Sequence, residues 1–456
     1  MASALFVCTG WVAAGCGGHG GSGNGGADMT TTGTGGNGGA DMTLPNGGDM
    51  PAPASRDMTV ALDLATPADS DMTPPVVGGN DMTPANPDMT PSGPNAVACP
   101  YATTTDGQAH LLATFVLPPT SMKLMDPYLT DADLTAALTN GALTVTAPSL
   151  GSGLDYGGGC PGTFYGIGDR GINGDSSETN GVSFPLPAYT PMIATFDAEQ
   201  DNSLAIDSVI DTADTAGAPA TGLCNDTNDE VPYLTATSTT PLAYDQDGLD
   251  PEDVRKLPSG DFLISEEYAT SLALIDGTTG AVKVRYTPAG ETLPAARYPI
   301  APILPAIYAS RRTNKGFEGL AVTPDGHTAY AILQTPMGDD STTEFAASLV
   351  NRILRIDHVD DPANAVASAE YIVLHQAVAT AFPAQKTKQN KVFFNSATYL
   401  SGNKLLLLER ASGNKAPETG RLYLVVVDLS AATNMLAAPV PAYESTLSPE
   451  SLASGK

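Results

Sequence analysis

Several residue types that define common classes of protein are scarce in this sequence. Its 456 residues include one Trp and five Cys. The cysteines form no Cys-x-x-Cys pair, which excludes zinc ribbons and thioredoxin-like sites. Lys and Arg number 21 against 50 Asp and Glu, so the formal net charge is −29. Such a chain repels the phosphates of nucleic acids, but it can supply oxygen ligands to divalent cations.

The usual signatures of nucleophilic catalysis are also missing. There is no Gly-x-Ser-x-Gly elbow and no His-Glu-x-x-His motif, and the spacing of the five histidines does not favour a Ser-His-Asp triad. At most one disulfide is expected among Cys99, Cys160 and Cys224, and the pairing stays open.

The first apolar segment is too short to cross a membrane as a helix, which takes about 20 residues. The segment 1–16, "MASALFVCTGWVAAGC", resembles a bacterial lipoprotein signal in which small residues precede a lipid-modified Cys16. It predicts an exported protein anchored at the outer membrane or cell surface through lipid alone. Plain secretion is the alternative.

A long segment without aromatic residues follows this signal. Residues 17–97 are rich in Gly and Pro and repeat the tripeptide "DMT". Such a composition cannot bury enough apolar surface to offset the entropy of ordering, so we expect a disordered linker. The folded domain is therefore expected to span residues 98–456.

Short apolar runs dominate the folded part. They include "TFYGIG", "DFLIS", "LALID", "TAYAIL", "RILRID", "YIVLH", "KLLLLE" and "LYLVVVDL", each bounded by turn-forming residues, and "LLATFVL" nearer the N-terminus. This pattern predicts an all-β fold. The best helix signal is "TDADLTAALTNG", which Thr130 would cap and Gly141 would end.

Internal repetition selects a propeller among the all-β folds. Aligning "PEDVRKLPSGDFLISEE" with "FEGLAVTPDGHTAYAIL" matches Glu252 to Glu318 and Gly260 to Gly326 without a gap. "FFNSATYLSGNKLLLLERAS" gives a third copy, with Phe394 in the glutamate's place, and "CPGTFYGIGDRG" gives a partial fourth. A repeated strand–turn–strand unit is typical of the inner edge of a propeller blade.

The same stretches resemble a known family. "LDPEDVRKLPSGDFLISEEY", "RRTNKGFEGLAVTPDGHTAYAILQTP" and "KLLLLER" are similar to the phytase-like family, which is described as having esterase-like activity, and "GIGDRGING" fits its early blade. The resemblance implies a β-propeller and a small-molecule substrate. It leaves the blade number open, because the family's usual final blade is not found before the C-terminal "PESLASGK".

Acidic residues and arginines recur at matching positions of the repeats. Counting seven residues from each turn glycine gives Asp169, Glu267 and Glu409, and gives Leu333, with Gln334 beside it, in the remaining unit. Equivalent strand ends lie on one side of a propeller, so these carboxylates, with the axial Glu252 and Glu318, are predicted to bind Ca²⁺. The alternative is structural: Glu252 and Glu318 would accept backbone hydrogen bonds of their blades, and the other three acids would serve turns or surface salt bridges.

Three arginines are the predicted catalytic groups. Arg170 and Arg410 directly follow a carboxylate, and Arg312 lies shortly before Glu318. Arginine can hold phosphate oxygens bidentately and stabilise charge in a transition state. The acidic loops "CNDTNDE" and "DQDGLDPED", the second of which contains Asp250, are either calcium loops or solvated surface.

The sequence therefore leaves three functions open. The first is a monomeric Ca²⁺-assisted phosphomonoesterase or related esterase, whose substrate is a phosphate ester. The second is a non-catalytic propeller that binds a ligand or protein at the cell surface. The third is a metal-dependent lactonase-like propeller, whose metal would also be held by axial carboxylates.

Overall fold

A computed structural model describes most of the predicted folded domain. The described residues are 114–118, 122–142, 150–159, 162–225, 229–339, 341–383, 388–412, 422–437 and 450. Cys16 and the linker 17–97 lie outside them, as do Cys99 and Cys160. Cys224 is a buried free thiol. None of the described helices is long and apolar enough to cross a lipid bilayer.

Helices are short and few in this part of the chain. The α-helices are α1 (Met122–Met125), α2 (Asp131–Thr139), α3 (Thr343–Ala346) and α4 (Val378–Ala381), with 3₁₀ turns at Tyr268–Thr270, Ala306–Ser310 and Gln389–Lys391. Helix α2 confirms the predicted helix. Thr130 caps it in a reciprocal capping box with Asp133, and Gly141 follows its end with φ +109°.

Strands make up the rest of the regular structure. In chain order they are β1 (Gly153–Gly158), β2 (Thr163–Ile167), β3 (Gly174–Asp175), β4 (Gly181–Ser183), β5 (Met192–Ala198), β6 (Leu204–Asp211), β7 (Val231–Tyr233), β8 (Pro251–Lys256), β9 (Phe262–Glu266) and β10 (Ser271–Ile275). There follow β11 (Val282–Pro288), β12 (Ile300–Leu304), β13 (Phe317–Val322), β14 (Thr328–Leu333), β15 (Val350–Asp357), β16 (Val366–Leu374), β17 (Val392–Ser401), β18 (Lys404–Ala411) and β19 (Leu422–Asp428). Eight of the nine apolar runs coincide with strands. In "LLATFVL" the described part forms only a bridge at Val116.

These strands form four main sheets in the described chain. Sheet I contains β1, β2, β5 and β6, sheet II contains β8 to β12, sheet III contains β13 to β16, and sheet IV contains β17 to β19. A small sheet of β3, β4 and β7 lies beside them. Pairing within the four sheets is antiparallel, except that β12 joins β11 in parallel. Apart from β12, the strands of each sheet form an up-and-down meander, which is the local topology of a propeller blade.

The four sheets pack face to face in chain order. The first strand of each sheet lies beside the first strand of the next sheet. Strand β1 contacts β8, β8 contacts β13, and β13 contacts β17. A separate hydrophobic cluster fills each interface: the first joins sheets I and II, the second joins II and III, and the third joins III and IV. Sheets that radiate from neighbouring inner strands and bury apolar side chains between them form a β-propeller. The predicted fold is therefore confirmed.

A buried ion pair lies among the inner strands of the four sheets. Asp253 and Arg255, both on β8, pair through two contacts of 2.7 and 3.0 Å. Asp253 also accepts the N–H of Leu320 on β13, while Arg255 donates to the carbonyls of Leu154 on β1 and Ala397 on β17. Side chains of one strand thus bond to the inner strands of the other three sheets.

The four repeat units are the inner hairpins of the four sheets. Their turn residues Gly162, Gly260, Gly326 and Gly402 have φ values of +123°, +93°, +79° and +58°. Glycine adopts this conformation without the steric cost that a side chain would impose. The alignment of the four units on these glycines is therefore confirmed.

Candidate functional site

The site is built from the first residues of the inner strands. Each of β8, β13 and β17 begins with a bulge, and the extra residue of the bulge is Glu252, Glu318 and Asn395, respectively. A second bulge at Leu400 adds one residue to β17 and shifts its register. The sequence alignment that put Phe394 opposite the glutamates is therefore wrong by one residue, and Asn395 takes the equivalent position.

The second strand of each hairpin contributes the residue that follows the partner of the last residue before the bulge. These residues are Glu267 after β9, Gln334 after β14 and Arg410 within β18. The turn in sheet III is one residue longer than the turn in sheet II, so Gln334, rather than Leu333, occupies the place of Glu267. A fixed count of seven residues from the turn glycine cannot account for this difference.

Five carboxylates form what we call the carboxylate cluster: Asp169, Asp250, Glu252, Glu267 and Glu318. Oxygens of Asp250, Glu252 and Glu267 lie within 4.8 Å of one another. The charges of Asp169 and Glu318 both raise the pKa of Glu252, so we count these two carboxylates with the cluster. All members except Glu252 are buried.

Burial and mutual repulsion dominate the electrostatics of the carboxylate cluster. They raise the pKa of the Asp250 and Glu252 carboxyls well above the usual range. Burial raises the pKa of Asp169 to about 6, although the Gly171 N–H and the charge of Arg170 oppose the increase. Burial and the charge of Glu267 raise the pKa of Glu318 to about 8.

Glu267 has an oxygen without a hydrogen-bond partner. Its Oε1 is buried and accepts no hydrogen bond from the described residues. A buried carboxylate oxygen in this state is costly unless a cation satisfies it. The donor set of the carboxylate cluster consists entirely of oxygen, which hard divalent cations such as Ca²⁺ prefer. The arrangement therefore fits a metal site.

The backbone around Glu267 is strained and tightly packed. Ala269 and Thr270, both buried, have φ values of +55° and +47°, which side chains rarely adopt. Gly316 approaches so closely that a Cβ atom there would lie 2.5 Å from the Glu267 carbonyl oxygen. Strain of this kind is kept where surrounding structure imposes it, often at functional sites.

Glu318 is held by two side-chain amides. Gln334 Nε2 donates to its Oε2, and Asn395 Nδ2 donates to its Oε1 at 2.6 Å. The charges of Lys315 and Arg410 favour ionised Glu318 and limit the rise of its pKa. The three neighbouring hairpins therefore bring their equivalent residues together at one end of the inner strands.

The predicted arginines differ in their surroundings. Arg170 binds Glu230 at 2.8 Å and lies 3.6 Å from Asp250, so it borders the carboxylate cluster. Arg410 packs over the Phe393 ring, with its charge directed at Glu318. It forms no salt bridge with any of the described carboxylates.

Arg312 is bound by backbone carbonyls. Its guanidinium donates to the carbonyls of Gly338 and Phe345. Its neighbour Arg311 binds Asp229 instead.

Glu409 lies away from the carboxylate cluster. It accepts from His375 Nδ1 at 2.9 Å and from the N–H of Gln376 at 2.8 Å, and it is fully buried. Register explains the difference, because Glu409 pairs opposite Phe394 while the next residue, Arg410, faces the site.

Three residues of the site had weak sequence signals. Asp250 belongs to one of the acidic loops, but nothing in the sequence set it apart from its acidic neighbours. Asn395 could be found only by placing a gap for the second bulge. Lys315 has no repeat partner that would single it out. In the "CNDTNDE" loop, Asp229 and Glu230 bind arginines, which accounts for these two charges without calcium.

A match to a family model shows which known family this chain is related to. The phytase-like family model, described as esterase-like activity of phytase, matches residues 149–452. The chain belongs to the phytase-like family. Sheets I to IV and all five members of the carboxylate cluster lie inside the match. No curated protein matches this phytase-like chain significantly.

Three solved structures share a distant likeness with the phytase-like domain. A Lactobacillus plantarum protein is 13% identical, covering 58% of this chain and 53% of its own, with a TM-score of 0.24. The Pseudomonas aeruginosa periplasmic gluconolactonase PpgL is 12% identical, covering 59% and 69%, with a TM-score of 0.22. The Myceliophteria thermophila Cps50 (Swd1) β-propeller domain is 10% identical, covering 60% and 57%, with a TM-score of 0.22. The chain thus spans about half the length of the first of these proteins.

Proposed function

We propose that this phytase-like propeller hydrolyses phosphate monoesters at the carboxylate cluster with the help of Ca²⁺. The observation that carries the proposal is the buried convergence of Asp250, Glu252 and Glu267, in which Glu267 Oε1 has no partner. These three residues would hold the cation. When bound, Ca²⁺ supplies positive charge that stabilises a phosphate group in its transition state.

The cationic side of the site supports an anionic substrate. Lys315 and Arg410 lie near Glu318, and neither forms a salt bridge with the described carboxylates. Both are only partly buried, so a ligand can reach them. Their charges would bind phosphate oxygens and orient the phosphorus toward the acidic side.

Asp169 is the best-placed general base. Asp169 lies outside the group formed by Asp250, Glu252 and Glu267. Its Oδ1 accepts the Gly171 N–H at 2.9 Å, which fixes its position. A base with a pKa of about 6 is well matched to accepting a proton near neutral pH. Asp169 would take the proton from a water whose oxygen forms the new bond to phosphorus as the ester P–O bond breaks.

Release of phosphate from p-nitrophenyl phosphate and phytate tests this function. We expect turnover that requires Ca²⁺, stops with EGTA, and falls at least about 100-fold in Glu267→Gln, because one buried ligand charge is lost. Glu199→Gln is the control, since Glu199 is an exposed acid in the turn after β5.

Turnover that survives both EGTA and Glu318→Gln would refute the mechanism. Turnover of lactones alone would favour the lactonase-like alternative, and ligand binding without any turnover would favour the binding propeller.

Export of the domain is a separate proposal. The signal-like segment 1–16 and the Gly- and Pro-rich linker support a domain held outside the cytoplasm by lipid on Cys16. Metabolic labelling with a fatty-acid analogue should mark the wild-type protein but not Cys16→Ser. Equal labelling of both proteins would contradict lipidation at this residue.

A further inference from the structure

One buried histidine lies beneath the three polar groups that surround Glu318. These groups are Gln334 and Asn395, which donate to Glu318, and Arg410, whose charge acts on it. The histidine is His375, which directly follows β16 and is only 3% exposed. No step of the proposed hydrolysis uses this side chain.

His375 contacts three strands, each in a different way. Its Nδ1 lies 2.9 Å from Oε1 of Glu409 on β18. Its ring stacks on the ring of Phe394 on β17, with 4.2 Å between the centroids and 20° between the planes. Its Nε2 lies 3.0 Å from Nδ2 of Asn351, and the same Nδ2 donates to the carbonyl of Leu333, at the end of β14, at 2.8 Å. One imidazole ring therefore links the ends of three strands.

Each of the three strands carries one of the polar groups next to the residue that His375 holds. The backbone joins the two members of each pair, so holding one side chain limits the directions in which the next can point. Phe394 adds a direct link, because its N–H donates to the Gln334 carbonyl at 3.0 Å. The pairs are Leu333 with Gln334, Phe394 with Asn395, and Glu409 with Arg410.

The hydrogen bonds of His375 require a neutral ring with its proton on Nδ1. The Asn351 amide has a fixed orientation, because its Oδ1 accepts the Arg352 N–H at 2.8 Å while its Nδ2 donates to a carbonyl. Nε2 of His375 must then accept from Asn351, so Nδ1 carries the proton and donates it to Glu409. Burial lowers the pKa of the His375 imidazole, in agreement with a neutral ring.

The acceptor of this proton is a carboxylate with little other support. Glu409 is fully buried, and its Oε1 also accepts the N–H of Gln376 at 2.8 Å. Its Oε2 accepts no hydrogen bond from the described residues. A buried carboxylate held by two neutral donors is a poor source of stability. Its contribution is therefore directional, since it fixes the end of β18 against His375.

We propose that His375 is a positioning residue that aligns Arg410 and the two amides around Glu318 for binding the phosphate group of the substrate. This inference rests on the proposed function in taking this side of the site as the place where the phosphate binds. His375 touches no substrate and acts only through the residues that it holds.

The proposed cation ligands lie outside the reach of this device. Asp250, Glu252 and Glu267 belong to sheet II and the loop before it, whereas the contacts of His375 described above go to sheets III and IV. Loss of His375 should therefore weaken binding of the anion and leave binding of the cation unchanged. General damage to the fold would weaken both.

Calorimetric titration of the Ca²⁺-loaded full-length protein with phenylphosphonate, a phosphate ester analogue without an ester bond, tests the positioning role. His375→Phe keeps a ring over Phe394 but removes both nitrogens. It should weaken phosphonate binding about tenfold, the effect of misaligning one hydrogen bond to a charged group. His375→Asn keeps a donor in the place of Nδ1, so it should lose less.

Two measurements separate positioning from a structural role. A titration of each EGTA-dialysed variant with CaCl₂ should give the wild-type affinity. With p-nitrophenyl phosphate, His375→Phe should raise KM and leave kcat nearly unchanged. His327→Phe is the matched control, because His327 is exposed in the turn at the other end of β14, and it should match the wild type in both.

Glu409→Leu is the second variant if His375→Phe does not fold by circular dichroism. It removes the acceptor of the Nδ1 proton without leaving a buried charge, and it should also weaken phosphonate binding about tenfold. Unchanged phosphonate binding in these variants would overturn the proposal. So would a parallel loss of Ca²⁺ affinity, or a wild-type protein that binds no phosphonate.

The outcomes also separate this inference from the proposed function. Phosphonate binding that weakens in His375→Phe, without phosphate release from any ester, would contradict the hydrolase while leaving the positioning role in place. Ca²⁺-dependent phosphate release with an unchanged KM in His375→Phe would support the hydrolase and overturn the positioning role.

Discussion

The stability of the metal-free protein should fall as pH rises through neutrality. The folded pKa of Glu318 is about 8, against an ordinary value of 4.5, because burial and neighbouring acids disfavour the charged form. Between pH 6.5 and 7.5 the folded state therefore keeps a proton on Glu318 that the unfolded state has lost. Linkage then lowers the free energy of unfolding as pH increases, by about 1 kcal/mol over this interval from Glu318 alone.

The neighbouring groups act in the same direction. The pKa values of Asp250 and Glu252 are also raised, so their contributions add to the loss. Asp169, with a pKa of about 6, contributes mainly at lower pH. Urea unfolding in EGTA, measured at pH 6.5, 7.0 and 7.5, gives the slope. Saturating Ca²⁺ should abolish the loss, because the cation binds the ionised carboxylates.

The matched variants make this prediction specific. Glu318→Gln should reduce the slope in EGTA by about 1 kcal/mol per pH unit, since the amide does not titrate. Glu199→Gln should leave the slope unchanged. A metal-free wild-type protein whose stability stays constant or increases from pH 6.5 to 7.5 would refute the electrostatic account of the carboxylate cluster.

Two further substitutions test how the fold supports the site. Gly316→Ala should displace Glu267, destabilise the domain by about 1–3 kcal/mol and weaken Ca²⁺ binding in calorimetry. Gly151→Ala is the control and should do neither, because a Cβ atom there meets no neighbouring atom. Equal effects of the two substitutions would contradict the argument that Gly316 must lie close to Glu267. Arg255→Met should cost about 3–5 kcal/mol in urea unfolding, because it leaves the buried Asp253 carboxylate without its partner. A loss below about 1 kcal/mol would show that the central ion pair is dispensable.

Local chemistry explains why the propeller could be predicted from sequence. Each inner hairpin needs a turn residue with positive φ, and glycine provides it at Gly162, Gly260, Gly326 and Gly402. These glycines stand in the sequence shortly before runs of apolar residues. A repeat of turn and strand is visible without knowledge of the partner strands, so the four hairpins were found and the fold followed.

The composition of the site was harder to predict because it depends on single-residue shifts. The longer turn in sheet III moves Gln334 into the place of Glu267, and the bulge at Leu400 moves Asn395 into the place of Glu318. Such an insertion changes which side chain faces the site while leaving the hydrophobic pattern intact. Counting from the turn glycine missed this shift of one residue and therefore placed Glu409 at the site. Its neighbour Arg410 faces Glu318 instead.

Long-range pairing sets the surroundings of the predicted arginines. No local pattern shows that Arg170 binds Glu230, 60 residues away, or that Arg312 donates to the Gly338 and Phe345 carbonyls. An arginine beside a carboxylate in sequence is equally compatible with a substrate contact and a structural ion pair. Only the three-dimensional partner separates these two roles.

The order of the sheets arranges the charges of the site along one direction. Sheet II and the loop before it supply Asp250, Glu252 and Glu267, while sheet III supplies one acid, Glu318, with amide neighbours. Sheet IV supplies Arg410 and no acid to the cluster. Equivalent positions of neighbouring hairpins therefore change from acidic to neutral to cationic around the axis. A cation is favoured toward sheet II and an anion toward sheet IV, so a phosphate ester that bridges them would be bound in one orientation.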